Sequence, residues 1–210
     1  MLNARHLLTL GLFRSASHVN DWLRKGVESG LLRFYTRYRI REREKQCKPE
    51  YWYSSSDVRF KRDNNRHEVY LTEFLSLYWL FSPQVWRGPD VDQALLADAE
   101  LTIGGTRYLI ELDTGTMTHK QLKGRFKTLS KSPDTVLFVT LGRDRRLNGV
   151  LRTAAGFEGL NLVATTFAAV YTQPFGRVWH QPGSAELRKV DLPADLPTDC
   201  TFRNFLCLSG

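Results

Sequence analysis

The sequence predicts an α+β chain: a helical front module ending in a β-hairpin (residues 1–60), a mixed α/β domain (67–180) and a C-terminal tail (181–210). Three observations predict it. Apolar residues recur at helical spacing up to Gly30 and then alternate; Gly104-Gly105 separates two further alternating runs; and two short apolar runs, 135–140 and 162–165, are each followed by a helical pattern. With 42% hydrophobic residues in a chain of 210, a buried core forms and wholesale disorder is excluded.

Leu7, Leu8, Leu10 and Leu12 mark a first helix, and residues 14–17 a turn rich in capping side chains. Val19, Trp22, Leu23 and Val27 mark a second helix, closed by Gly30 as a left-handed C′ residue. His18, Asn20, Arg24 and Lys25 share its polar face. Between positions 31 and 45 the odd positions Arg33, Arg37, Arg39, Arg41, Arg43 and Lys45 are basic, broken by Tyr35, and the even ones carry Leu32, Phe34, Tyr38 and Ile40. Period two predicts a strand with one face on the core and a cationic row outside. A turn at 48–50 and the run Tyr51-Trp52-Tyr53 predict the return strand. Helix, glycine and basic hairpin form the layout of a winged helix–turn–helix without its usual preceding helix.

Charge follows the same division. Residues 1–66 hold 15 of the 30 Lys+Arg and 7 of the 22 Asp+Glu, whereas 67–210 hold 15 of each, so the whole excess of +8 lies in the front third. That asymmetry points to a polyanionic partner, DNA or RNA ahead of membrane, against the alternative of a solvated basic surface. Arg24, Lys25, Arg33, Arg37, Arg39 and Arg41 are the candidate DNA contacts. Cys47, Cys200 and Cys207 form no ligand pattern and read as reduced thiols of a cytoplasmic protein. The apolar stretches are too short to span a bilayer, so no membrane partner is expected. Arg5, His6 and Arg14 around a short apolar run read as an amphipathic first helix rather than a targeting peptide.

After a polar linker at 59–66, residues 67–81 predict an amphipathic helix with Tyr70, Leu71, Phe74, Leu75, Leu77 and Tyr78 inward and Glu68 and Glu73 at its edges. The segment 95–114 then carries the chemistry. A two-residue turn at Gly104-Gly105 pairs Ile103 with Thr106 and sets Asp98 opposite Glu111. One face collects Ala97, Ala99, Leu101, Ile103, Tyr108, Ile110 and Leu112. The other collects Asp98, Glu100, Thr102, Arg107, Leu109, Glu111 and Asp113. Opposed acids cost up to about 1 kcal/mol, so a compensating charge is expected: a hard divalent cation, Mg²⁺ or Mn²⁺, or Arg107 with nearby lysines. Thr118 and Gln121 form a capping box opening a helix in which Lys120 and Lys123 lean over the acids, to orient water or steady phosphorane charge, or simply face solvent.

The hairpin-bearing front, His67…Glu73, Asp98-Ala99-Glu100 and Glu111-Leu112-Asp113-Thr114-Gly115-Thr116 together resemble the replication-relaxation family, in particular the MobC-type relaxases of mobilisable plasmids, which are related to the PD-(D/E)XK nucleases. The resemblance covers residues 5–170. It implies a restriction-endonuclease-like domain, with Asp98 and Glu111 as metal ligands and Glu73 as a third acid. Asp113 stands where that superfamily usually has lysine, so either Lys120 or Lys123 takes the lysine's place or Asp113 is a further ligand. The implied function is a plasmid mobilisation relaxase that nicks one strand of origin DNA beside other relaxosome proteins. The alternative is a non-catalytic DNA-binding replication or relaxosome accessory protein with a degenerate nuclease fold. Other relaxases use a tyrosine nucleophile, for which Tyr70 and Tyr78 are candidates. Asp113-Thr114-Gly115 also matches the aspartic-protease triplet, but 29 positions to Gly142 leave too little room for that fold's flap.

Overall fold

A computed structural model of the chain describes residues 2–9, 11–38, 40, 50–56, 65–78, 85–87, 97–103, 105–174, 176–183 and 189–190. They fall in two compact units, one within residues 1–76 and the other within 77–196.

In the first unit, β1 (Leu2–Asn3), α1 (Ala4–Thr9), α2 (Ala16–Glu28), β2 (Leu32–Tyr38), β3 (Glu50–Ser55) and α3 (Asn65–Ser76) follow in order. The strands form an antiparallel sheet ordered β1-β3-β2. Helix α2 opens at Ser15, whose hydroxyl accepts the His18 N–H, and closes as expected at Gly30, where φ is +75°. Its buried Val19 and Leu23 pack with Leu7 into a small core edged by Leu2, Phe13, Leu32 and Tyr53.

The expected alternation along β2 fails at one point. The register with β3 shifts between Phe34 and Thr36, making Tyr35 an extra residue. A bulge of one residue exchanges the faces of everything beyond it. Arg33 therefore turns inward, donating from Nε to Ser54 Oγ at 3.3 Å, while Phe34 is 50% exposed. Only past the bulge is the expected pattern met, with Arg37 outside and Ile40 buried. Arg39 and Arg41, with the hairpin turn and the 59–64 linker, lie outside the described residues. The helix expected to open the α/β domain, α3, belongs instead to the first unit.

The second unit contains β4 (Val85–Arg87), β5 (Ala99–Ile103), β6 (Thr106–Asp113), α4 (His119–Leu129), β7 (Thr135–Thr140), α5 (Asp144–Ala154), β8 (Leu162–Thr166), α6 (Phe167–Thr172), β9 (Trp179–His180) and β10 (Lys189–Val190). These strands make one sheet ordered β10-β9-β8-β7-β6-β5-β4. Strands β6, β7 and β8 are parallel and the remaining pairings antiparallel. Parallel neighbours need crossovers, which α4 and α5 supply. Their apolar stripes (Leu122, Phe126, Leu129; Leu147, Val150, Leu151) close over Leu109, Val136, Phe138, Leu162 and Ala164. The glycine hairpin has the expected register, Ile103 opposite Thr106 and Ala99 opposite Ile110, with Gly105 at φ +77°. Ala97, just before the strand, departs from the expected face and joins the helix-side core. Within the segment expected to be a tail, Lys189–Val190 pairs with β9 as an edge strand; 184–188 and 191–210 lie outside the described residues. The chain is thus mixed α+β.

Candidate functional site

The acidic face of β6 lies beneath α4 and α5. Glu111 sits mid-strand, 3% exposed, and Asp98 immediately precedes β5, one register step beyond Ala99–Ile110 and therefore opposite Glu111. The cation that reconciles them is Arg125 of α4. Its Nε donates to Glu111 Oε1 at 2.7 Å, and its Nη2 lies 2.6 Å from Glu111 Oε2 and 3.8 Å from Asp98 Oδ1. Asp98 Oδ2 accepts the Leu112 N–H at 2.8 Å, extending the β-ladder with a side chain. Burial alone pulls the Arg125 guanidinium down, but the hydrogen bond and charge of Glu111 and the charge of Asp98 outweigh it and leave its pKa raised. A charge-assisted hydrogen bond from guanidinium to carboxylate is shorter and stronger than a neutral one.

Asp113, two residues on and 1% exposed, has its own arginine. Its Oδ2 accepts from Arg146 Nε of α5 at 2.6 Å and from the Thr140 hydroxyl at 3.1 Å, and its Oδ1 from the Gly115 N–H at 2.9 Å. Arg146 also donates to the Met117 carbonyl at 2.9 Å. One carboxylate thus ties together the carboxyl ends of β6 and β7, the loop after β6, and α5. At the other end of the face Glu100 pairs with Arg107 at 2.9 Å.

Asp98 and Glu111 are therefore brought together, with Asp113 beside them on the same strand face but joined to a different partner. Glu73 is a residue of α3. It belongs to the first unit, 0% exposed, where Arg5 and His6 bind its carboxylate, His6 Nε2 at 3.0 Å. Lys120 and Lys123 are exposed on α4, and the cation over the acids is Arg125. Tyr70 and Tyr78 are fully buried; Tyr78 donates to the Pro174 carbonyl at 3.0 Å, and burial pushes its hydroxyl far up. Neither presents an accessible nucleophile.

Arg125 and Arg146 are the residues that sequence reasoning passed over. Each looks like one charge in a basic helix. The signal was their spacing: Leu122, Arg125, Phe126 and Leu129 share one helical stripe, as do Arg146, Leu147 and Val150. An arginine inside an apolar stripe is aimed at the sheet.

Both Glu111 oxygens are on a guanidinium, one Asp98 oxygen is on the backbone, and the described residues contain no group of three His, Cys, Asp or Glu able to hold a metal. Among the candidate DNA contacts, Arg24 is exposed but bridges Asp21 and Glu28 (3.5 and 3.0 Å), and Arg33 is turned inward. Lys25 and Arg37 face solvent, the Arg37 guanidinium lying 5.3 Å over the Tyr51 ring. No helix among the described residues is long and apolar enough to cross a membrane. No protein-family model matches the chain, and no curated protein and no solved structure is similar enough to it to indicate a family.

Proposed function

We propose that the protein is a non-catalytic DNA-binding accessory of replication or plasmid transfer, in which a basic winged-helix-like front unit contacts DNA and a nuclease-like domain serves as scaffold. The observation that carries this reading is Arg125: it supplies, within the chain, the positive charge that a nuclease of this pattern takes from a metal. Support for the front unit comes from its +8 excess, from a helix pair running into a sheet ordered β1-β3-β2, and from the outward Lys25 and Arg37. The resemblance to the replication-relaxation family supports the same assignment.

Fluorescence anisotropy with a labelled duplex tests it. Lys25→Ala combined with Arg37→Ala removes two phosphate contacts and lowers the salt slope by about 2; an unchanged slope overturns the assignment of these residues. One observation favours a second reading, a Mg²⁺- or Mn²⁺-dependent nicking relaxase. Asp98 and Glu111, the pair that the resemblance implies as metal ligands, face each other across the two strands of the glycine hairpin. Supercoiled plasmid incubated with Mg²⁺ separates the two. Nicking by the wild type that is lost in Asp98→Ala and Glu111→Ala selects the enzyme, whereas equal conversion by all three selects the accessory protein.

A further inference from the structure

The even balance of charge over residues 67–210 conceals a second basic concentration. Between 117 and 157 there are nine Lys or Arg and two Asp or Glu. Arg125 and Arg146 are turned onto the sheet's acids, and the other seven are exposed. The sheet's acids are thus neutralised from within, while the outer face of the helix layer is strongly positive.

A cleft of about 580 Å³ opens in this face between α4 and α5, lined by His119, Lys123, Gly149, Arg152, Thr153 and Phe157, with Gly156 at its edge and no acid in its wall. The Thr153 hydroxyl donates its single proton to the Gly149 carbonyl at 2.8 Å, so His119 Nδ1, 3.3 Å from the same oxygen, is the donor of that pair. The imidazole is oriented by the protein itself.

Gly149 is the second observation. It lies in the middle of α5, where glycine costs about 0.5–1 kcal/mol relative to alanine. Its φ is not left-handed, and a Cβ built on it meets nothing within 4 Å. Nothing inside the fold requires glycine there. Its bare backbone lies in the wall of the cleft and leaves room for a group to come close to the helix.

We propose that the α4–α5 cleft binds a phosphate group, held by Lys123 and Arg152 and admitted by the bare backbone at Gly149, and that nucleic-acid backbone supplies it. This adds a second contact surface to the DNA-binding reading and rests on that reading only for the source of the phosphate.

Two variants test charge and shape separately: Lys123→Ala with Arg152→Ala, and Gly149→Phe, which fills the cleft without altering charge. Circular dichroism checks that each is folded. In anisotropy titrations of full-length protein with labelled DNA, both weaken binding. The double variant also lowers the salt slope by about 2, so its affinity falls roughly 12-fold less than that of wild type between 50 and 200 mM salt. Wild-type binding by both variants overturns the cleft while leaving the front-unit reading intact. If wild type binds no DNA, the DNA reading fails, and calorimetric titration with inorganic pyrophosphate decides the cleft by itself. Heat that is lost in Gly149→Phe keeps the phosphate site with a free phosphate compound as its source. Absence of heat in wild type overturns it.

Discussion

Arg125→Ala strands Glu111, whose side chain is 4% exposed, beside the like charge of Asp98. Breaking a buried ion pair by removing one partner costs roughly 3–5 kcal/mol. Arg125 and Asp98 are 18% and 19% exposed, so water reaches the stranded carboxylates and the lower end applies. A loss of about 3 kcal/mol, at about 4 °C per kcal/mol for a unit of this size, lowers Tm by about 12 °C. Arg125→Lys keeps the charge but gives up the fork, at about 1–2 kcal/mol. Arg125→Met with Glu111→Leu removes the closest pair and costs less than Arg125→Ala, because the remaining charge, Asp98, keeps the Leu112 N–H and reaches water. The assay is thermal unfolding followed by circular dichroism with EDTA or 10 mM Mg²⁺. Wild type melts identically in both. Arg125→Ala, with its acids released, gains about 1.4 kcal/mol in Mg²⁺ if the exposed pair binds the ion with Kd near 1 mM. A variant within about 1 kcal/mol of wild type, or a wild type stabilised by Mg²⁺, refutes the assignment of Arg125 as resident cation.

Other consequences follow from single features. Thr118→Ala removes the side-chain half of the capping box, Gln121 N–H to Thr118 Oγ1 at 3.3 Å, while the backbone N–H of residue 118 keeps its bond to Gln121 Oε1 at 2.7 Å; stability falls by about 1 kcal/mol in urea unfolding, and no change in midpoint refutes the cap's contribution. Gly124→Ala, in an exposed mid-helix position open around its Cβ, raises stability by about 0.5–1 kcal/mol, and a lowered midpoint refutes the open space around it. Burial raises the hydroxyl pKa of Tyr78, and also those of Tyr108 and Tyr53. Tyrosines whose folded pKa is raised contribute stability that is complete below the unfolded value, near 10, and lost as pH rises through the folded values. Unfolding midpoints should therefore fall above about pH 10, less steeply in Tyr78→Phe. Full tyrosinate absorbance at 295 nm with native circular dichroism refutes this.

Much of the candidate site was legible before the coordinates. Alternation on both sides of Gly104-Gly105, with a turn that only glycine adopts cheaply, set Asp98 against Glu111, because a two-residue hairpin leaves one register. Thr118, Gln121 and Gly30 announced helix ends through local hydrogen bonds and a positive φ. Such features are decided within a few residues, and the order of residues is enough to specify them. The charge asymmetry was equally plain, but as a sum over position it hid the basic face of α4 and α5, since acids elsewhere in residues 67–210 cancel it in the total.

What needed the tertiary structure was every pairing made across the fold. A bulge at Tyr35 is one residue of register, and it reversed Arg33 and Phe34 at the one break in the basic row, which by itself does not tell a bulge from a substitution. Glu73 had the look of a helix-edge acid until Arg5 and His6, nearly seventy positions away, met it in the core. The like charges on the hairpin demanded a counter-charge, and the sequence by itself could supply either a metal or a cation from the chain. Only the packing of α4 over β6 brings Arg125 onto those charges, because which helical residue stands above which strand residue depends on crossover length and core packing rather than on either segment alone.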